Sequence, residues 1–250
     1  MMTLHTATTI DPVSAFPAPV KRPVMVQEWR DVAFLHWRVD PSVVDRLTPE
    51  GLEPDTFDGS AWVGLVAFHM IDIGLPHTPA VPYLGTFPET NVRTYVKDRS
   101  GRPGVWFHSL EASRLLPVWV ARAGYDLPYM WARMSIARSE GTIRYASSRR
   151  WPGPNGAGGV LSIEPEREPH APDALDDFLT SRWGLYATGR SGKLSYAPVE
   201  HPAWPLHRAS APHVRDSLIA AAGYPPPVDT PHVLYSPGVP VRVGLPRRVH

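Results

Sequence analysis

The chain has 250 residues, 43% hydrophobic and 20% charged, which is enough to bury the core of one large all-β or α+β domain, or of two small ones. A formal net charge of +1, with Arg scattered rather than clustered, gives no electrostatic case for nucleic acid or an acidic membrane surface as partner. The absence of Cys excludes disulfides, thiolate nucleophiles and Cys-ligated zinc.

Met1 to Val20 has no basic start and no apolar core of signal-peptide type. Its Thr, Ala and Pro predict a disordered leader over residues 1–22, followed by a single domain over residues 23–250. The longest apolar run, Trp62 to Phe68, is broken by Gly64 and falls far short of the roughly 18 residues a membrane helix needs. These features predict a cytoplasmic protein with no membrane partner.

Val32 to Val39 reads as a short strand. Asp40-Pro41 then starts a helix, with Asp as N-cap and Pro in the first helical position. Ser60 to Met70 is a longer strand, apolar on both faces and so covered on both sides. Gly64, beside Trp62, leaves room for a ligand or another segment to approach. Phe87 to Val96 is the most informative strand. Alternation places Glu89, Asn91, Arg93 and Tyr95 on one face and Thr90, Val92, Thr94 and Val96 on the other. The polar row is either a face with internal Glu–Arg pairing or the polar wall of a ligand cavity.

Val105 to Glu111 returns as the hairpin partner of that strand. Pro117 to Ala123 reads as a short helix closed by Gly124, and Tyr129 to Ile136 and Thr142 to Ser148 as a hairpin. A Gly- and Pro-rich loop from Trp151 leads to the strand Val160 to Glu164. Asp173 caps a helix through Ser181, with Asp176 as its capping-box carboxylate. Leu185 to Thr188 and Leu194 to Val199 form another hairpin, and His201 to Leu206 is extended by its prolines. Pro212 to Ala222 reads as a final helix, and His232 to Ser236 and Val239 to Val243 as two short strands. About ten strands, mostly in hairpins, and a few short helices predict an α+β fold. Its main feature is an antiparallel sheet closed or nearly closed on itself.

Phe87-Pro88-Glu89-Thr90-Asn91-Val92-Arg93-Thr94-Tyr95-Val96 resembles the signature of the YqjF-like family of uncharacterised proteins, within the acetoacetate decarboxylase-like superfamily. Phe34 to Trp37, Phe57 to Val63, Gly104 to Phe107, Leu127-Pro128-Tyr129, Leu175 to Leu179 and His201 to Leu206 resemble it in the same order. The resemblance implies a cone- or barrel-like antiparallel β-fold with a central cavity. In the decarboxylase relatives that cavity holds a reactive Lys and an acidic partner. Glu89 is similar to the acid, and Tyr129 stands where the Lys would be. Independently, the three Lys of this chain sit in the leader (Lys21) or beside turns (Lys97, Lys193), where a Schiff-base amine would not be desolvated.

In a cavity, Glu89 would have its pKa raised by burial and lowered by Arg93, two same-face positions away. Glu89 and Tyr129 are the candidate proton-transfer groups. Asn91 and Arg93 are candidates to hold a carbonyl and a carboxylate. Each has a structural alternative: an internal Glu89–Arg93 pair, or a half-buried Tyr129 bonded to backbone. His36, His108 and Trp62 complete the candidate substrate-binding set, with plain core packing as their alternative. His108 draws attention because an aromatic is usual at its position in the resembling pattern and because hairpin topology pairs it with the polar strand. The 11 His include no His-x-His and no His-Glu-x-x-His, so no metal site is expected. No dinucleotide, nucleotide-triphosphate or esterase motif occurs, and no cofactor is expected. The reading is a cofactor-independent enzyme doing acid/base chemistry (condensation, dehydration or cyclisation) on a small carbonyl or carboxylate metabolite. The alternative is a non-catalytic small-molecule binder using the same cavity. The expected partner is a small-molecule substrate, and the sequence is compatible with a homo-oligomer.

Overall fold

Five strands of this protein are walls of two closed rings at once. A computed structural model of the chain describes residues 19–78, 85–114, 127–189 and 192–249. The predicted helix Pro117 to Ala123 lies outside the described residues, as does the predicted leader up to residue 18.

The chain runs β1 (Pro23–Val39), α1 (Pro41–Leu47), β2 (Leu52–Pro54), β3 (Ala61–Gly74), β4 (Phe87–Asp98), β5 (Pro103–Ala112), β6 (Tyr129–Ser139), β7 (Thr142–Trp151) and β8 (Gly158–Pro165). It continues through α2 (Ala174–Thr180), β9 (Gly184–Thr188), β10 (Leu194–Glu200), β11 (His207–Asp216), α3 (Leu218–Ala221), β12 (His232–Gly244) and β13 (Arg247–Arg248). The helix starts follow the sequence. Asp40 accepts from the Ser42 backbone N–H at 2.8 Å with Pro41 in the first turn, and Asp173 and Asp176 form a reciprocal capping box.

All thirteen strands among the described residues belong to one sheet. Strands β5-β6-β7-β8-β11-β12-β1-β3-β4 close into a nine-stranded ring through the β4–β5 pairing. A second ring, β9-β5-β4-β3-β1-β12-β10, closes through Val199↔Val243 and Glu200↔Arg242. The predicted closed, mainly antiparallel fold is therefore present, with two parallel contacts, β5–β6 and β5–β9. Strand alternation sends one face of each shared strand into each ring. Leu35, Leu65 and Val92 pack with Ile143, Leu161 and Ile163 into the nine-stranded ring, and Leu218 and Ile219 of α3 join them. The seven-stranded ring is capped at one end by Phe178 and Leu179 of α2.

Three predicted elements differ. Strand β1 begins nine residues before Val32 and switches faces at Asp31, which has φ 50° and sits where the β1–β3 register shifts. Pro212 lies inside β11 rather than starting a helix. It falls at the register shift between Ser210 and His213, where its missing N–H interrupts no regular ladder. Only Leu218–Ala221 is helical, its first amides bonded to the Asp216 carboxylate. Strand β12 is continuous through Pro237-Gly238, because Gly238 adopts φ 127° against β1. A Cβ there would lie 2.0 Å from the Trp29 carbonyl oxygen.

Candidate active site

The seven-stranded ring is hollow. Its cavity of about 430 Å³ is lined from every one of its strands and lies within the range typical of small-molecule sites. Strand β4 contributes Phe87, Glu89, Asn91 and Arg93, the alternating face predicted from sequence. Cross-strand register sets these in layers. Glu89 is opposite Phe68. Asn91 is opposite Val66, which faces Phe34. Arg93 is opposite Gly64, which faces His36. The space over Gly64 is taken by the His36 and Arg93 side chains, and a Cβ there would sit 2.8 Å from the imidazole. Gly64 thus admits neighbouring side chains rather than a ligand.

Tyr129 enters from the first residue of β6, beside Leu110, and its hydroxyl donates to Glu89 Oε2 at 3.0 Å. Glu89 is 2% exposed. Burial pushes its carboxyl up from the usual carboxylate range to about 7, against hydrogen bonds from Tyr129 and Asn91 and with help from the nearby charge of Glu111. The predicted lowering by Arg93 does not occur, because the guanidinium is turned away. Its Nη2 donates to Leu179 O at 3.5 Å, and its carbon lies 5.6 Å from the Phe34 ring centre and 5.7 Å from that of Tyr95. The Glu89–Arg93 pair considered from sequence is therefore absent. Among the described residues no carboxylate pairs with Arg93, which is 8% exposed and whose Nε has no partner. The Asn91 Oδ1 is likewise buried and unpartnered. Burial, followed by the Glu89 charge, raises the Tyr129 phenol well above its usual range, so it stays protonated.

Three predicted site residues stand off the cavity wall. His36 lies behind Arg93, with Nε2 2.6 Å from the Tyr95 hydroxyl, which itself donates to Leu179 O at 2.7 Å. The Tyr95 proton is committed to that carbonyl, so His36 Nε2 is the donor and its unpartnered Nδ1 the acceptor. Burial first, and then the Arg93 charge, hold this imidazole neutral. Trp62 lies deeper still, packed with Tyr95, Phe178 and Leu179 and under the Arg38 guanidinium at 4.8 Å. His108 faces the nine-stranded ring, with Nε2 2.8 Å from the Tyr224 hydroxyl, and burial lowers it to about 4. Alternation from Val105 and Phe107, which line the cavity, already sends His108 to the other face, and the bulge beside it, with Val92 paired to Ser109 and Arg93 to Phe107, then returns Leu110 to the cavity.

Other wall residues lie outside the site set predicted from sequence. Arg182, just after α2, is paired with Asp55 through Nη1 and donates from Nε to Phe178 O at 2.7 Å, leaving Nη2 without a partner. Trp204 donates to Thr180 O at 3.0 Å and stacks on Trp29 at 5.9 Å. Asp176 anchors α2, accepting from the Asp173 backbone and meeting His170 and His232 at 2.6 and 2.7 Å. None of the three Lys is on the cavity wall. Among the described residues, no group of three or more His, Asp or Glu is placed to hold a metal ion, and no helix is long and apolar enough to cross a membrane.

A family model for uncharacterized conserved proteins, DUF2071, matches residues 26–240. The chain belongs to that family. The uncharacterized protein YqjF of Bacillus subtilis strain 168 is a homologue, 36% identical over 215 residues, which is 85% of this chain and 87% of YqjF. Among solved structures, acetoacetate decarboxylase from Legionella pneumophila superposes with a TM-score of 0.67 at 12% identity, covering 98% of both chains. The enduracididine biosynthesis enzyme MppR, solved with pyruvate, superposes at 0.66 with 17% identity, covering 93% of this chain and 92% of MppR. At such identities the likeness is one of fold, and it gives this DUF2071 chain an acetoacetate decarboxylase-like fold.

Proposed function

We propose that the protein is an enzyme of acid/base chemistry on a carboxylate-bearing carbonyl compound, working without a Schiff-base lysine. The observation carrying this reading is a buried carboxyl poised near 7 and hydrogen-bonded to Tyr129, in one cavity with a guanidinium that no carboxylate of the described residues neutralises. A pKa near the working pH suits a group that both takes and returns a proton. Arg93 supplies the charge and donors for a carboxylate. With the acid held there, ionised Glu89 takes a proton from the carbon next to the carbonyl. The C–H electron pair moves into a C–C double bond, and the carbonyl oxygen becomes an enolate oxygen. Protonation releases Glu89 from its need for a donor, and the Tyr129 hydroxyl turns to the new oxyanion, beside the Asn91 amide. Return of the proton, or attack of the enolate on a second carbonyl, completes exchange or condensation.

The pyruvate in the MppR structure suggests the first probes. Pyruvate and 2-oxobutanoate in deuterated water are expected to exchange their C3 protons in the presence of the protein, as followed by proton NMR. Glu89→Gln should slow exchange on the order of a hundredfold or more, and Tyr129→Phe by less. Exchange that is undiminished in a folded Glu89→Gln variant removes Glu89 as the base and leaves the second reading, a binding protein using the same cavity.

A further inference from the structure

The cavity wall changes character along its axis. Glu89, Asn91 and Arg93 follow one another inward along β4, and the innermost, Arg93, donates to Leu179 O of α2. Outward from Glu89, register places Phe87 and Trp29 opposite Met70, and Met25 opposite Val243, which pairs with Val199. All six line the same cavity. Two buried polar atoms of this sleeve lack partners, Gln27 Oε1 and Trp29 Nε1, both on β1, so its β3 and β4 sides are apolar. On β3 the sleeve advances five residues, from Phe68 opposite Glu89 to Ile73, or roughly 17 Å at a strand's rise. It ends at Leu75, which is 63% exposed, so the open end of the cavity is the apolar one.

A head group alone would occupy only the inner half. We infer that the ligand is an amphipathic acid, its carboxylate against Arg93 and an apolar tail of medium length lying in the sleeve between Glu89 and Leu75. This rests on the reading of the inner end as the place of the carboxylate. The shape also sets the order of entry: the acid goes in head first, because the inner end is closed by Phe178 and Leu179. Trp29, Phe68, Met70 and Phe87 then select for tail length, while the inner residues do the chemistry.

The test is isothermal titration of the full chain with butanoate, hexanoate, octanoate, decanoate and octan-1-ol. Affinity is expected to rise about fourfold per added methylene. Octanoate should then bind on the order of a hundredfold more tightly than butanoate. Octan-1-ol should bind at least about tenfold more weakly than octanoate, for want of the charge-assisted contact to Arg93. Ile73→Trp, in the outer sleeve, should weaken octanoate and decanoate by about tenfold or more and leave butanoate unchanged. Its melting curve checks the fold, and the chain-length series on the unmodified protein stands without it. Equal affinities for butanoate and octanoate, or no binding of any acid, overturn the inference. Octan-1-ol binding as tightly as octanoate also overturns it and places the fault in the carboxylate reading rather than in the sleeve.

Discussion

Strands β1, β3, β4, β5 and β12 wall two rings, and the two interiors treat a buried charge in opposite ways. In the nine-stranded ring, Glu111 and Arg149 form a two-point pair, Nε to Oε2 at 3.1 Å and Nη2 to Oε1 at 2.6 Å, within a packed core. In the seven-stranded ring, Arg93 has no carboxylate among the described residues and Glu89 is pushed toward neutrality by burial, around open volume. The same strand supplies both interiors. Thr90 of β4 is opposite Glu111, while Glu89 and Asn91 on either side of it face the cavity. The filled ring spends its polar groups on each other. The hollow ring matches Arg182 with Asp55 but leaves the Arg93 guanidinium without a carboxylate among the described residues, at a cost in stability that the proposed charged ligand would offset.

The largest expected effect separates the two guanidiniums. Arg149→Ala strands the Glu111 carboxylate and should destabilise the protein by roughly 3–5 kcal/mol in urea denaturation. Arg93→Met strands no carboxylate and should change stability by no more than about 1 kcal/mol while abolishing preference for acids. Equal losses from the two substitutions would break the distinction between the rings.

Next in size is the pH dependence of Glu89. Its folded pKa is raised to about 7, so the folded state holds a proton that the unfolded chain releases near its ordinary value. Stability is then greatest at acid pH and is lost as pH rises through about 7. Relative to Glu89→Gln, the unmodified protein should lose on the order of 3 kcal/mol between about pH 4.5 and 7.5, read from denaturation midpoints across that range. A flat difference would mean that Glu89 is not a buried protonated acid. The smallest effect belongs to the far side of β5. His108→Phe removes the bond to Tyr224 and should cost about 1 kcal/mol, with proton exchange and acid binding unchanged. A loss of binding there would mean that the two interiors communicate through the bulge.

Much of this organisation is legible along the chain. Alternation in Phe87 to Val96 divides β4 into a cavity face and a core face, and the structure keeps Phe87, Glu89, Asn91 and Arg93 on the cavity wall, while Tyr95 of the same row is buried beyond it against Leu179. The helix starts at Asp40 and Asp173 are local capping chemistry and appear where the sequence places them. Leu110 shows the limit. Strict alternation from Val105 sends Leu110, like His108, away from the cavity, but one extra residue in β5 returns it there, and bulges leave no dependable mark in a single sequence. Asp31 does the same to β1, which is why its first half escapes detection and why Met25, Gln27 and Trp29 join the wall containing Val32 and Phe34. Arg182 and Trp204 reach the cavity from segments without periodic pattern, held by Phe178 and Thr180 carbonyls that the folded chain brings near.

The sequence by itself determined the closed, hairpin-rich β-architecture and the polar row of Glu89, Asn91 and Arg93. Both follow from alternation and turn chemistry, which act over a few residues. It also kept each Lys out of the middle of an apolar strand. Only the tertiary structure decided that the ring around that row is hollow while its neighbour is filled, that Tyr129 meets Glu89, and that no carboxylate of the described residues meets Arg93. Those facts depend on register and on contacts between residues as far apart as Val199 and Val243 or Glu89 and Tyr129, which follow from how the rings close.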